Sequence, residues 1–223
     1  MQRFVWDLNY PPPPAFVRGY PISAIYRDTP LFPLGPTVLP GTYRIRLTVN
    51  RQSFTEPLTV RMDPRVKTGM PGLTQQFTLS LQAYDGMQKT FAAVEEIKKL
   101  RAQIKDLMDR AGNGTLADAL SALDKKAAAI EGEGRGDSSS PGTPGGTVDV
   151  REPDLTKLNS GFADILEQLQ IATVAPTMPM VAAADGLQKV LSGLMASWSE
   201  LKTRDVGSIN TQLRQANLPV LGP

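Results

Sequence analysis

The residue types that most often perform catalysis are scarce in this chain. It contains no cysteine and no histidine. Without cysteine there is no thiolate nucleophile, no disulfide and no Cys-ligated zinc. Without histidine the commonest general base and the commonest transition-metal ligand are missing. Any catalysis would depend on carboxylates, lysine, tyrosine or serine, and any metal would bind oxygen ligands.

Two pairs of carboxylates remain as acid–base candidates. Glu95 and Glu96 are adjacent, but neighbouring helix residues point about 100° apart and do not converge on one substrate. Asp7 and Asp63 each follow a strand-like segment, where an aspartate typically caps a turn. The sequence therefore predicts no catalytic residue, no cofactor-binding residue and no metal ligand. We expect a protein that is not an enzyme.

Arginines are the more informative chemical groups. Arg44 and Arg46 alternate with apolar residues in PGTYRIRLTVN, so both are expected on one outward face of a strand. Arg61 lies between Val60 and Met62, which are expected to face inward, and should join that outward face. Such a face either solubilises a sheet edge or binds acidic lipid headgroups or an acidic protein surface. Nucleic acid is a weaker candidate, because no aromatic residues are interleaved with these charges.

Two aromatic residues near the N-terminus are further candidates for binding a partner. Phe4 and Trp6 share a face of the segment RFVWDL, residues 3–8, which is predicted to be an edge strand. Core packing and partner docking are both compatible with Trp6. An edge strand leaves backbone groups unpaired, which favours docking at this position. The predicted partner-binding residues are thus Phe4, Trp6, Arg44, Arg46 and Arg61.

A β-hairpin is expected to position the arginines. Every second residue is apolar over residues 43–49 and, apart from Glu56, again over 54–62, and Asn50 and Arg51 lie between the two runs. This period is typical of strands with one buried and one wet face. Two strands cannot bury a face alone. Because residues 3–8 are the only other strand candidate, the chain should contain about half of a β-sandwich and obtain the rest from a partner.

The rest of the chain changes character twice. Residues 9–40 contain nine prolines and are expected to form an extended strap over the sandwich. Over residues 77–108 the apolar positions recur at helical spacing, which predicts one amphipathic helix of about 35 residues. A second helix should be capped by Thr115, and others should begin near Pro153 and near Pro176. Single apolar stripes favour an antiparallel helical bundle.

These elements predict four segments. Residues 1–67 form an incomplete β-sandwich with the strap, 68–130 a first helical hairpin, 131–152 a Gly/Ser/Pro linker, and 153–223 a second helical hairpin with a short C-terminal helix.

Residues 1–67 hold nine Lys and Arg against four Asp and Glu, although the whole chain has a formal charge of only +2. The β part is therefore basic. The linker composition cannot offset its own ordering entropy, so we expect a partner to hold it.

Several motifs resemble one protein family. GPTVLPGTYRIRLTVN, PLTVRMDPRVK and the tail WSELKTRDVGSINTQLRQANLPVL are similar to the C-terminal region of secreted bacterial sortilin-like, Asp-box (BNR) β-propeller proteins. The resemblance implies fold class α+β, a partial immunoglobulin-like antiparallel β-sandwich followed by an antiparallel helical bundle. It also implies an extracytoplasmic, periplasmic location, and a docking role on a membrane assembly would place the chain at the membrane periphery. The N-terminus does not look like a signal peptide, so a cytoplasmic location is the alternative.

The resemblance does not imply hydrolase activity, because the propeller that would carry it has no counterpart and no Asp-box repeat occurs here. We expect a non-catalytic structural subunit that docks on and stabilises a larger extracytoplasmic or membrane-associated assembly. Its partners would be protein subunits and an anionic membrane surface, with no nucleic acid, cofactor or small-molecule substrate. One such role is a membrane-extrinsic subunit of a bacterial photosynthetic reaction-centre and light-harvesting complex. The alternatives are an accessory domain of a BNR-type glycosyl hydrolase and a glycan-binding module.

Overall fold

A computed structural model describes residues 4–21, 23–112, 114–132 and 153–222. They form a mixed α/β fold, in which a two-stranded antiparallel sheet precedes a group of packed helices. The strands are β1 (Gly41–Val49) and β2 (Gln52–Val60). The helices are α1 (Met70–Ala111), α2 (Thr115–Glu131), α3 (Leu155–Gln170), α4 (Met178–Glu200) and α5 (Val206–Gln215), and a π-helical turn, Leu201–Asp205, joins α4 to α5. Most of the predicted linker, residues 133–152, lies outside the described residues.

The apolar core lies between the helices, and α1 is its central element. This helix packs against α2, α3 and α4, as the predicted periodicity over residues 77–108 requires. The helix has 42 residues, compared with the predicted length of about 35. The largest fully buried apolar side chains are Met87, Ile97, Ile104, Leu120, Leu155, Leu158, Phe162, Leu166 and Leu213.

Helices α1 and α3 approach each other closely at Gly86. A Cβ atom on Gly86 would lie 2.6–2.7 Å from three ring atoms of Phe162. Next to this contact, Asn159 Nδ2 donates to Met87 O at 3.0 Å and to Thr90 Oγ1 at 2.9 Å, and Thr90 Oγ1 donates to Gly86 O at 2.9 Å. The hydroxyl and amide are buried but hydrogen-bonded, so the network adds specificity without an unpaired polar group.

Side chains also fix the ends of α2 and α3. Asp154 caps α3 by accepting the Lys157 backbone N–H at 2.7 Å, which confirms the predicted start near Pro153. Thr115 does not cap α2 as predicted, because it is the first helical residue and Gly114 occupies the cap position. Glu131, predicted to begin the linker, is the last residue of α2.

A charged cluster joins α1 and α2 to the start of α3. Arg101 donates from Nε to Asp124 Oδ1 at 2.8 Å and from Nη1 to Glu131 Oε2 at 2.7 Å. These hydrogen bonds raise the pKa of Arg101 above its usual value. Thr156 Oγ1 of α3 donates to the Glu131 carbonyl at 2.8 Å. The end of α2 is therefore held against both neighbouring helices.

The proline-rich strap lies on α1 and not on a sandwich, which corrects the prediction. Phe77, Tyr84 and Phe91 are spaced by seven residues and so form an aromatic stripe on one face of α1. The Tyr10 ring lies 6.0 Å from that of Phe77 and 6.4 Å from that of Tyr84, and Phe16 stacks on Phe91 at 4.9 Å. The stripe gives the strap an apolar surface on which to pack.

Residues 4–8 form no strand, which corrects the prediction for residues 3–8. The Asn9 backbone N–H donates to Asp7 Oδ1 at 3.0 Å, and Leu8 has a φ of 64°. The chain therefore turns where the alternation predicted an extended strand. The strap then folds back on itself, with isolated antiparallel bridges between Asn9 and Thr37 and between Gly19 and Phe32.

The β-hairpin is present as predicted. The register runs from Gly41 opposite Val60 to Val49 opposite Gln52. The two loop residues between the strands, Asn50 and Arg51, have φ values of 49° and 67°, as a two-residue type I′ turn requires.

Replacing Arg51 by glycine is expected to stabilise the hairpin. A side chain in the left-handed region costs about 1–2 kcal/mol, and glycine relieves that cost while losing more entropy on folding. We expect a net gain of about 0.5–1 kcal/mol, measured as slower amide exchange in β1 and β2. The control, Gln52→Gly, changes an extended position and should speed exchange. Equal or faster exchange in Arg51→Gly would show that the left-handed conformation of Arg51 does not strain the turn.

Candidate functional site

One face of the hairpin is uncovered. The register places Ile45, Leu47 and Val49 of β1 on the same face as Phe54 of β2, with Leu47 directly opposite Phe54. Their exposed fractions are 51%, 60%, 46% and 57% respectively. We name these four residues the apolar patch. It runs roughly 13 Å along β1, from Ile45 to Val49.

Alternation predicted which residues share this face, and the exposure of all four agrees with the prediction that two strands cannot bury a face alone. No other element in the described part of the chain packs on the apolar patch. The helices pack against one another and against the strap instead. Large apolar side chains that cluster on a surface typically mark an interaction site. The patch is the strongest candidate site of this molecule.

The two aromatic candidates have different surroundings. Phe4 is 89% exposed. Trp6 is partly buried, because its ring packs edge-on against Tyr43 at 5.8 Å and its Nε1 donates to Asn9 O at 3.0 Å. Burial raises the pKa of the Tyr43 hydroxyl, which stays protonated at neutral pH. Trp6 thus contacts Tyr43 of β1. The apolar patch begins two residues later, at Ile45.

The arginines lie on the reverse face of the hairpin and beyond it. Arg44 stands opposite Pro57 and Arg46 opposite Thr55, so both share the face that the apolar patch does not occupy. Arg61 follows the last residue of β2 and lies four residues along the chain from Pro57, the cross-strand partner of Arg44. It lines a small cavity between the hairpin base and α1. All three side chains are exposed.

None of these arginines forms an ion pair with another described residue. Their charges are therefore available to a partner. The structure places Arg44 and Arg46 on one face of the hairpin, and Arg61 follows the end of β2.

The candidate carboxylates Glu96, Asp7 and Asp63 each accept hydrogen bonds from other groups. Glu96 accepts hydrogen bonds from Lys202 Nζ at 2.9 Å and Trp198 Nε1 at 3.2 Å. These donors lower the pKa of the Glu96 carboxyl, so at neutral pH it is ionised and carries no proton to donate. Asp7 and Asp63 each accept a backbone N–H two residues ahead, which confirms that they cap turns.

A cavity with a volume of about 290 Å³ lies beside Glu96. Leu100, Trp198, Val206 and Leu221 contribute its apolar walls, and Glu96 and Lys202 pair at its margin. Its charged groups already neutralise each other. Among the described residues, no three His, Cys, Asp or Glu side chains converge to hold a metal ion.

Sequence reasoning missed the buried Asn159 network and the contact between strap and α1. A single asparagine inside a helical pattern gives no signal that it is buried. The seven-residue spacing of Phe77, Tyr84 and Phe91 was a usable signal for a separate aromatic surface, but it also fits the core stripe of a helix.

Helices that could cross a membrane are absent from the described parts of the chain. Comparisons with protein-family models, curated proteins and solved structures give no match to this chain. The resemblance to sortilin-like propeller proteins therefore stays a prediction.

Proposed function

We propose that this chain is a non-catalytic structural subunit that docks on another polypeptide through the apolar patch and stabilises a larger assembly. The observation that carries this proposal is the exposure of Ile45, Leu47, Val49 and Phe54 together on one sheet face. Each side chain is about half exposed, so burying the remainder would contribute about 1 kcal/mol per residue. This free energy is released only when a partner covers the patch, because the chain alone leaves the four side chains exposed.

The proposed partner supplies the sheet that the hairpin lacks. A second β-sheet packed on the apolar patch would complete a partial immunoglobulin-like antiparallel sandwich, and α1 to α5 would form the helical bundle behind it. The resemblance to the family supports this arrangement. We place the assembly outside the cytoplasm at the membrane periphery, where a membrane-extrinsic subunit of a photosynthetic reaction-centre and light-harvesting complex would need such a docking surface. An anionic membrane surface is a second contact that Arg44 and Arg46 favour.

The alternatives differ in their partner and have less support. An accessory domain of a BNR-type hydrolase would use the same patch to contact its catalytic domain. A glycan-binding module needs an open aromatic platform. Tyr26 is exposed, but the Arg27 guanidinium lies 5.1 Å from its ring centre and occupies one face.

The double substitution Leu47→Ser and Phe54→Ser tests the proposal. We expect it to weaken docking at least about 30-fold, since about 2 kcal/mol of apolar burial is lost, while the free energy of unfolding stays unchanged. The readout is the mass of the native assembly that contains the chain, isolated from its own cells. Ile171→Ser, at a residue 78% exposed elsewhere on the surface, is the control and should remain in the assembly. A double variant that also remains would contradict the proposal.

A further inference from the structure

We propose that the partner adds a β-strand to the outer edge of β1, and that this strand alternates acidic and apolar residues. The inference rests on the proposed docking function and names how the partner binds. It is drawn from the hydrogen-bonding geometry of the hairpin and from the side chains on its two faces.

The hairpin geometry identifies which backbone groups are free. In a two-residue β-hairpin the closing pair, here Val49 and Gln52, exchanges both of its hydrogen bonds. Hydrogen-bonded and non-hydrogen-bonded pairs then alternate along the ladder. The pair Arg44 and Pro57 falls on a non-hydrogen-bonded position, as a proline without N–H requires. The N–H and C=O groups of such pairs point away from the hairpin.

The two outer edges are not equivalent. On β1 the outward N–H groups belong to Thr42, Arg44, Arg46 and Thr48, and the edge contains no proline. On β2 the corresponding residues are Ser53, Thr55, Pro57 and Thr59, so the proline removes a donor near the middle. An added strand can therefore form a complete ladder on β1 only. Neither edge is paired with another strand in the described residues.

The faces of β1 specify what the added strand must carry. Arg44 and Arg46 lie on one face and form no ion pair with another described residue, so residues beside them on a new strand should be acidic. Ile45 and Leu47 lie on the other face, so the intervening residues should be apolar. Matched cross-strand pairs contribute roughly 0.2–1 kcal/mol each, and like charges side by side oppose pairing.

The same charges exclude a second copy of this chain as the favoured occupant. Pairing two β1 edges would place four arginines, Arg44 and Arg46 of each copy, on one face of the joined sheet. Such repulsion is a known defence of edge strands against self-association. An acidic strand meets no such barrier, so we assign the edge to a different polypeptide.

The test uses the full chain and a synthetic nine-residue peptide of alternating Glu and Val, with a Lys and Val peptide as its counterpart. We expect the Glu peptide to bind about tenfold more tightly, because two charge pairs change sign. Binding is measured by titration with amide chemical shifts, and the affected amides should be those of β1 and not those of β2.

Two proline variants separate edge pairing from contact with the face. Thr48→Pro removes an outward N–H from β1, and Ser53→Pro removes the corresponding one from β2. Both also remove the same 2.9 Å hydrogen bond between Thr48 Oγ1 and Ser53 Oγ, so they are matched. Thr48→Pro should weaken peptide binding about tenfold, the value of one or two hydrogen bonds, and Ser53→Pro should not. Cross-strand contacts within the hairpin must persist in both variants.

Other results would overturn the inference. Equal binding to both proline variants would mean that the peptide contacts the face, and equal binding of both peptides would remove the acidic specificity. Binding only to phosphatidylcholine and phosphatidylserine vesicles, lost in Arg44→Gln with Arg46→Gln, would assign the arginines to a membrane.

The native assembly distinguishes this inference from the proposed function. If Leu47→Ser with Phe54→Ser leaves the assembly and Thr48→Pro stays in it, docking is correct and strand addition is wrong. If both stay, docking itself is wrong.

Discussion

Replacing Phe162 by alanine is expected to lower the free energy of unfolding by about 3–5 kcal/mol. The ring is 1% exposed and fills the contact between α3 and Gly86 of α1. Its loss removes apolar burial and leaves a cavity that the surrounding helices can only partly fill. The measurement is chemical denaturation followed by far-ultraviolet circular dichroism.

The same substitution at Phe54 is the matched control. This residue is 57% exposed in the apolar patch, so Phe54→Ala should change the free energy of unfolding by less than about 0.5 kcal/mol. Docking should weaken instead. A loss below 1 kcal/mol for Phe162→Ala would mean that α1 and α3 do not pack as described.

Alanine substitutions at two helical glycines are expected to change stability in opposite directions. Alanine normally stabilises a helix interior by about 1 kcal/mol relative to glycine. At Gly193 of α4 the added methyl meets nothing within 4 Å, so a gain of about 0.5–1 kcal/mol should appear. At Gly86 it would lie 2.6–2.7 Å from the Phe162 ring, and overpacking should give a net loss of about 1–2 kcal/mol.

A double substitution tests whether the ring causes that loss. In a Phe162→Ala background the space beside Gly86 is open, so Gly86→Ala should become neutral or stabilising. The readout is the coupling energy from four denaturation curves. If Gly86→Ala destabilises equally in both backgrounds, the close contact with Phe162 is not the cause.

Local patterns account for the parts of the fold that the sequence predicts well. Alternation over residues 43–49 and the Asn50 turn specify the hairpin and the face of each side chain, because strand parity depends only on neighbouring residues. Helical periodicity likewise identifies α1. The cap at Asp154 needs only a residue of the correct type just before an apolar run.

Contacts between distant segments account for what the sequence could not predict. Alternation in residues 3–8 predicts a strand, but the turn at Asp7 and Leu8 and the packing of Trp6 on Tyr43 hold the chain in another shape. Alternation also cannot say whether a sheet face is covered. The apolar patch was therefore assigned to the correct side of the hairpin, and only the structure shows it uncovered in the described residues.

The position of the strap on α1 has a consequence for the order in which the chain becomes compact. Tyr10 and Phe16 are synthesised before Phe77 and Phe91, the residues of α1 on which they pack. At roughly 5–20 residues per second, they wait for several seconds before that helix can cover them. The hairpin needs only local contacts, so its two strands can meet during this interval. The apolar patch and the strap are therefore exposed together before α1 is complete, and a chaperone can meet both at the ribosome.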